Sequence, residues 1–415
     1  MPISDGSFSQ PESAALDQAT AEIAAWVTTC GLNGTHEPEL MRGFCERAAA
    51  AGIPLIRGIA IVDTLHPIYE GRLFRWHRDP TDAPSLVEFE RAGSDERRIA
   101  QWQQSPFYQL LENQDSELRR CLARGDPADF PMIHDLQVLG HTDYLALVHR
   151  FAADGVIGGM DCVLSAWSTD APGGFDDHQL ERLRWLVPVL ALAIKCASLA
   201  RIAGTLVETY LGRDAGRRVL AGRIERGVAE KLATVLWFSD LRGYTRITDS
   251  AQPGQIIPLL NDYAEAVICA VQDAGGDVLQ LVGDGTLAIF TPGTPGDARR
   301  GALEAARRAN EGIEAVCARR AAAGLPVTRA YLGLHVGEVL YGNIGSADRL
   351  DFTVVGPAVN EVARIAAMCR SVERDVLVSS AFAEAADPAD RARLVSVGRY
   401  ALRGVGRPQE LFTLE

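Results

Sequence analysis

Two aspartates in this sequence stand where strands end. Asp240 closes the apolar run "VLWFSD", and Asp284 sits between two glycines in "VLQLVGDGTLAIF", residues 278 to 290. The second stretch reads as two short β-branched strands joined by the tight turn Gly283-Asp284-Gly285, and Asp-Gly is by itself ordinary hairpin chemistry. After Asp240, "LRGYT" sets a small loop containing Gly243 ahead of a helix. Such a loop turns backbone N–H groups of residues 241–245 toward one point and adds a helix N-terminus behind them, which suits a phosphate chain. Asp240 is placed to hold a divalent cation beside those phosphates, with Asp284 as a second ligand. Two carboxylates holding two Mg²⁺ next to a polyphosphate is the arrangement nucleotidyl transfer requires. One cation lowers the pKa of the attacking hydroxyl, and both offset charge as pyrophosphate departs.

A third segment, "DFTVVGPAVNEVARI", gives a strand, then Gly356-Pro357 with Pro357 suited to a first helical position. Asn360 and Arg364 follow at i and i+4, on one helix face. A neutral amide can orient a ribose, and a guanidinium can meet charge building on a reacting phosphorus. Either residue alone would equally be an ordinary polar surface position.

The elements that must hold these residues alternate from about Thr234: a strand, a helix, the 278–290 hairpin and a second helix. A hairpin over "TRAYLGLHVGEVLYGNIG" then leads to the strand-into-helix of 351–370. This predicts one α/β domain over 234–415. Ahead of it, helices at 14–30 and 38–51 precede strand-like runs, "FPMIHDLQVLG" among them, and a long helix starts near Asp176. That order predicts an α+β sensor domain over 1–200, with 1–13 disordered and 201–233 a helical connector. Arg213, Arg217, Arg218, Arg223 and Arg226 make the connector either a solvated spacer or a transmission element. His66, His77, His134, His141 and His149, and Trp76, Trp102, Trp167 and Trp185, read as structural rather than as ligands.

Composition narrows the partners. At 415 residues the chain is long enough for two or three domains, and its formal net charge of −13 opposes nucleic acid and anionic membrane as general partners. Eight cysteines, widely spaced with no metal-ligand pattern, predict reduced, buried thiols in a cytoplasmic protein. The N-terminus lacks the basic start and apolar core of a signal peptide. The longest apolar run, "WLVPVLALAI", is too short to span a bilayer and reads as a buried helix.

In order and spacing, "FSDLRGYT", "GGDVLQLVGDGTLAIF", "GLHVGEVLYGNIG" and "DFTVVGPAVNEVARI" resemble the class III nucleotidyl cyclases, and the N-terminal order resembles GAF-like domains. The resemblance implies a ferredoxin-like βαββαβ core and cyclisation of a nucleoside triphosphate with two Mg²⁺ or Mn²⁺. Asp240, Asp284 and the Leu241 carbonyl would be metal ligands, with Arg242, Gly243, Tyr244 and Thr245 beside the phosphates. Asn360 would orient the ribose and Arg364 stabilise the transition state. Gln280 and Thr353 lie where the family reads the base. A homodimer with sites shared between chains is implied. ATP-using members usually carry Lys at the place of Gln280, and Lys can only donate, whereas Gln can do either. Thr353 matches the adenine type, so ATP is expected. A guanylate or pyrimidine nucleotide cyclase and a catalytically silent nucleotide-binding regulator are the alternatives. The family's phosphate-binding lysine near the C-terminus has only Arg403 or Arg407 to replace it.

Overall fold

The computed structural model describes residues 17–414 apart from 80–82, 92, 94, 153–155, 292, 294–297, 404 and 407. The expected disordered residues 1–13 and Arg407 lie outside the described residues. The chain divides into two compact units, Met1–Leu206 and Val207–Glu415.

The first unit begins with α1 (Gln18–Leu32) and α2 (Glu37–Ala50), then β1 (Arg57–Asp63), β2 (Tyr69–His77) and β3 (Leu86–Glu90). Next come α3 (Glu96–Gln103), α4 (Pro106–Glu112), β4 (Glu117–Arg120), α5 (Pro131–Val138), β5 (Asp143–Arg150) and β6 (Cys162–Thr169), and α6 (Asp177–Leu211) leads into the second unit. The strands form one six-stranded sheet in the order β3-β2-β1-β6-β5-β4. One face packs against α1, α2 and α6 around Phe44, Phe74 and Trp167; the other packs against α4 and α5 around Phe107 and Ile133. Buried Glu37 accepts from Arg72 at 3.1 Å, Arg201 at 2.5 Å and Ser198 at 3.2 Å, which ties α2, β2 and α6 together.

Several expectations for this unit change. The "FPMIHDLQVLG" segment is helix α5, because Pro131 opens it at the first helical position and Ile133 and Leu136 bury one side. Burial holds His141 and His149 down to about 4, as neutral structural imidazoles, whereas Trp102 and Trp185 are exposed rather than core. Cys45, Cys121, Cys162 and Cys369 are buried, but Cys196 and Cys269 are exposed. The "WLVPVLALAI" run is part of a 35-residue helix, long and apolar enough by length and composition to cross a membrane. In sequence the apolar run ends at Lys195, but that ammonium lies 4.1 Å from the Phe151 ring centroid and the helix continues. Leu180, Leu183, Leu186, Leu190 and Ile194 of this helix are buried in the unit's core.

The second unit contains α7 (Arg213–Leu220), β7 (Ala229–Leu241), α8 (Tyr244–Ser250), α9 (Pro253–Asp273), β8 (Asp277–Val282), β9 (Gly285–Phe290) and α10 (Ala298–Ala322). It continues with β10 (Ala330–Gly345), β11 (Leu350–Val355), α11 (Pro357–Val372), β12 (Val376–Ser379), α12 (Ser380–Ala385), α13 (Pro388–Arg391), β13 (Leu394–Tyr400) and β14 (Gln409–Leu414). Its sheet runs β13-β14-β12-β10-β7-β9-β8, with β11 paired to β10. The segment β7-α9-β8-β9-α10-β10 is the expected βαββαβ core, its four strands antiparallel in the order β10-β7-β9-β8.

Alternation along β7 decides which helices cover which face. Val235 and Trp237 point into the core formed with α9 and α10, and Leu236 points into a second core shared with α11. The expected hairpin over 328–345 is one 16-residue strand, β10, and its turn lies further on, between Gly345 and Leu350. On β11, Phe352 and Val354 pack with Leu236, Leu279 and Leu287, so β11 folds over the sheet face that carries β8. In the expected connector, Arg218 is half-buried between Asp214 and Glu230, and Ala215 belongs to the same core as Phe352.

Candidate active site

The register brings the two aspartates together. Ser239 of β7 lies opposite Thr286 of β9, so the end of β7 comes alongside the β8–β9 turn. That turn has two central residues, Gly283 and Asp284, between the paired Val282 and Gly285. Gly283 takes φ +64°, which a residue with a Cβ rarely adopts, and Asp284 does not need a positive φ. Gly285 is needed for a different reason, since a Cβ there would lie 2.7 Å from the Ser239 carbonyl. The two glycines around Asp284 therefore serve the turn and the close approach to β7.

Arg242 N–H donates to the Arg329 carbonyl at 2.7 Å, so the amide and carbonyl of Leu241 face the opposite edge. There the Leu241 N–H donates to Asp284 Oδ2 at 3.2 Å. Partial burial, then the neighbouring Asp284 carboxyl, push the Asp240 carboxyl up to about 6. No arginine or lysine is among the groups that set it. Asp240 stays open to solvent at the strand end. Two carboxylates crowded together, with a carbonyl on the same edge, fit a hard divalent cation.

The 241–245 loop divides its labour. Gly243 takes φ +68° and caps α8 without a side-chain bond, leaving the first N–H groups of that helix without intrahelical acceptors. The Tyr244 ring packs against the α9/α10 core, so its N–H is what it can offer a phosphate. Thr245 is exposed, and Arg242 has its guanidinium carbon 5.8 Å from the Tyr331 ring centroid. On the far side of the loop, Arg242, Arg246, Glu314, Arg329 and Asp375 line a groove of about 520 Å³. Asp240, Asp284, Asn360 and Arg364 do not line it.

Helix α11 is seated by two glycines four apart on β10. A Cβ on Gly333 would lie 2.6 Å from the Val362 carbonyl, and one on Gly337 would lie 2.5 Å from the Ala358 Cβ. The helix buries Ala358, Val362, Ile365, Ala366 and Cys369, which leaves Asn360 exposed and Arg364 half-buried on the other side. Next to Asn360, Glu361 accepts from Gln409 of β14, which pins the helix's rotation. Neither Asn360 nor Arg364 makes a side-chain hydrogen bond among the described residues, and no hydrogen bond or ion pair there joins either to Asp240 or Asp284. One chain brings together the carboxylate pair, and separately the amide–guanidinium pair.

Gln280 and Thr353 lie on β8 and β11. A bulge between Val278 and Gln280 breaks the alternation of β8, so Gln280 does not follow Val278 toward the α9/α10 face. Its Nε2 donates instead to Asp351 Oδ2 at 3.3 Å. Asp351 is a residue that the sequence reading missed; the signal was its place two before Thr353 on a strand. Arg403, the candidate for the C-terminal lysine, is exposed.

Residues 229–415 match the family model for the adenylate and guanylate cyclase catalytic domain. An adenylate cyclase of Anabaena cylindrica is 30% identical over 156 residues, covering 38% of this chain and 31% of that protein. An uncharacterized protein of Mycobacterium tuberculosis is 33% identical over 211 residues, covering 49% and 37%. The chain thus spans about a third of the length of these relatives. Among solved structures, the guanylyl cyclase Cya2 is 26% identical with a TM-score of 0.40, covering 45% of this chain and 93% of that one. The adenylyl cyclase CyaB from P. aeruginosa is 21% identical with a TM-score of 0.41, covering 45% and 96%. Residues 229–415 are an adenylate and guanylate cyclase catalytic domain of class III.

Proposed function

We propose that the chain is a homodimeric nucleotidyl cyclase that converts ATP to cyclic AMP and pyrophosphate by attack of the ribose 3′-hydroxyl on the α-phosphate. The carrying observation is the convergence of Asp240, Asp284 and the Leu241 backbone at one strand end, with no arginine or lysine among the groups that set the Asp240 carboxyl. Asp240, Asp284 and the Leu241 carbonyl would hold two Mg²⁺ or Mn²⁺. When bound, these ions acidify the 3′-hydroxyl and offset charge on the leaving pyrophosphate. The N–H groups of residues 243–245 receive phosphate oxygens, Asn360 orients the ribose, and Arg364 meets the charge developing on phosphorus. Thr353 favours adenine, being the residue type that ATP-using members carry there.

Two observations support a second copy of the chain. The carboxylate pair and the Asn360/Arg364 pair are not joined by a hydrogen bond or ion pair within one chain. Leu281, Val282, Leu340, Ile344 and Val355, on the strands around the site, are apolar yet exposed. The first unit is proposed as a GAF-like regulatory domain with an unidentified input, in a cytoplasmic protein.

The test is the purified full chain with Mg²⁺ or Mn²⁺ and each of the four common triphosphates. Cyclic AMP and pyrophosphate in equal amounts, with ATP turned over one to two orders of magnitude better than GTP, are expected, roughly 1.4–3 kcal/mol. Tight triphosphate binding without any cyclic product would establish the silent regulator instead.

A further inference from the structure

His335 of β10 pairs with Leu236 of β7, so its ring faces the α11 side of the sheet. It lies beside the first turn of that helix. A Cβ on Gly337 would meet the Ala358 Cβ at 2.5 Å and the imidazole Nε2 at 3.2 Å. The ring is buried, and its two nitrogens have different neighbours. Nδ1 lies 2.9 Å from Ser379 Oγ, and Nε2 lies 3.9 Å from Glu361 Oε1. Ser379 decides the tautomer. Its buried Oγ already accepts from the Phe382 N–H at 3.1 Å, as the N-cap of α12. Among the described residues, the acceptor left for its hydroxyl hydrogen is Nδ1. A ring that accepts at Nδ1 carries its proton on Nε2. Burial pushes the imidazole down, against the pull of Glu361, which favours this neutral form. Nε2–H therefore faces the Glu361 carboxylate, which also accepts from Gln409 of β14.

We infer that His335 is a positioning residue for the cyclase reaction, holding Glu361 and so fixing the rotation of α11 that aims Asn360 and Arg364. This rests on the reading that those two residues act on the ribose and the reacting phosphorus. Glu361 directly follows Asn360 and precedes Arg364 by three, so a carboxylate gripped from β10 and β14 sets where both side chains leave the helix. The grip comes from outside the helix, and neither end of it touches the triphosphate in this reading. Its loss therefore acts on the geometry of the transition state more than on binding.

The experiment measures kcat and KM for ATP on the full chain with His335→Phe, His335→Asn and His335→Gln. Phenylalanine keeps the ring's volume without either nitrogen. Asparagine keeps an acceptor near Ser379 but is too short to serve Glu361, and glutamine keeps a donor at the distance of Nε2. His335→Phe and His335→Asn should lower kcat about tenfold or more with KM within about threefold, and His335→Gln should keep kcat within about threefold. Glu361→Ala should cost about as much as His335→Phe, and combining the two should cost little more than either. Mixed dimers separate aim from general damage. His335→Phe chains should recover activity when mixed with Asp284→Ala chains, to the level of an Asp284→Ala/Arg364→Ala mixture, because they still supply good carboxylates. Mixed with Arg364→Ala chains they should not. A kcat within twofold of wild type in His335→Phe and His335→Asn overturns the inference. So does an asparagine variant that outperforms glutamine, which would make Ser379 the partner that counts, or recovery that does not distinguish the two mixtures. Failure of the Asp284→Ala/Arg364→Ala mixture itself would instead overturn the shared-site reading.

Discussion

At Asp240, the crowding that would suit a cation also burdens the metal-free protein. Its carboxyl is raised from an ordinary value of 3.8 to about 6, by partial burial and then by Asp284. A carboxyl with a raised folded-state pKa binds more protons folded than unfolded between those values. Stability in chelator should therefore fall as pH rises from about 4 to about 6, and stay reduced above that. Asp240→Asn removes the burden at pH 8. Because Asp240 is open to solvent, the gain is at most about 1 kcal/mol, a Tm rise of a few degrees. Mn²⁺ should raise the wild-type Tm at pH 8 but not that of the variant, and cyclic product should drop below about a tenth of wild type. A variant that matches wild type in chelator and still gains stability from Mn²⁺ would show that Asp240 is not a cation ligand.

The β8–β9 hairpin is the element that aims Asp284, and its two glycines should fail differently. Gly283→Ala places a Cβ in open space at a positive φ, a strain of about 1–2 kcal/mol at the turn. Gly285→Ala drives a Cβ into the Ser239 carbonyl and pushes the turn off β7. Gly285→Ala should therefore cost at least tenfold in kcat, because Asp284 leaves its place beside Leu241, while Gly283→Ala lowers Tm with kcat within about threefold. Equal losses in both variants would mean that the approach to β7 does not position Asp284. Much of this element was legible beforehand: the β-branched flanks and the Gly-Asp-Gly turn needed only local rules. The bulge at 278–280 was not, because it answers to β11 folding over β8 from 71 residues away in sequence. Long-range packing likewise made β10 a single strand. Its glycines at 333 and 337 look like turn residues in sequence, yet they exist to admit α11. At α5 the opposite error arose, since a Pro-led helix of eight residues shows too little periodicity to stand out from a strand.

For the whole molecule, the motif residues lie inside the matched domain, whereas the expected boundary falls within its first strand. Asp240, Asp284, Asn360 and Arg364 all fall within residues 229–415, but the strand carrying the first begins at Ala229, inside the stretch expected to be connector. That early start is hidden in sequence because residues 229–233, Ala-Glu-Lys-Leu-Ala, lie on the more exposed part of β7 and lack the continuous apolar run that marks its middle. Among the described residues, no hydrogen bond or ion pair joins the carboxylate pair to the Asn360/Arg364 pair within one chain. If a second copy brings the two pairs together, each dimer has two sites, each drawing its carboxylates from one chain and Asn360 and Arg364 from the other. Asp284→Ala and Arg364→Ala homodimers would then each be inactive, since every site lacks one part. Mixing the two variants after verified subunit exchange should restore one intact site in each heterodimer. With equal chains and random pairing, about half the dimers are mixed and each has one good site of two, so activity should recover to about a quarter of wild type. The Asn360→Ala/Arg364→Ala variant should rescue Asp284→Ala equally, because both lost groups come from the same chain. It should fail to rescue Arg364→Ala. If mixing restores nothing, the carboxylates and the guanidinium must act within one chain, and the sheet face between β7 and α11 would have to close to bring them together.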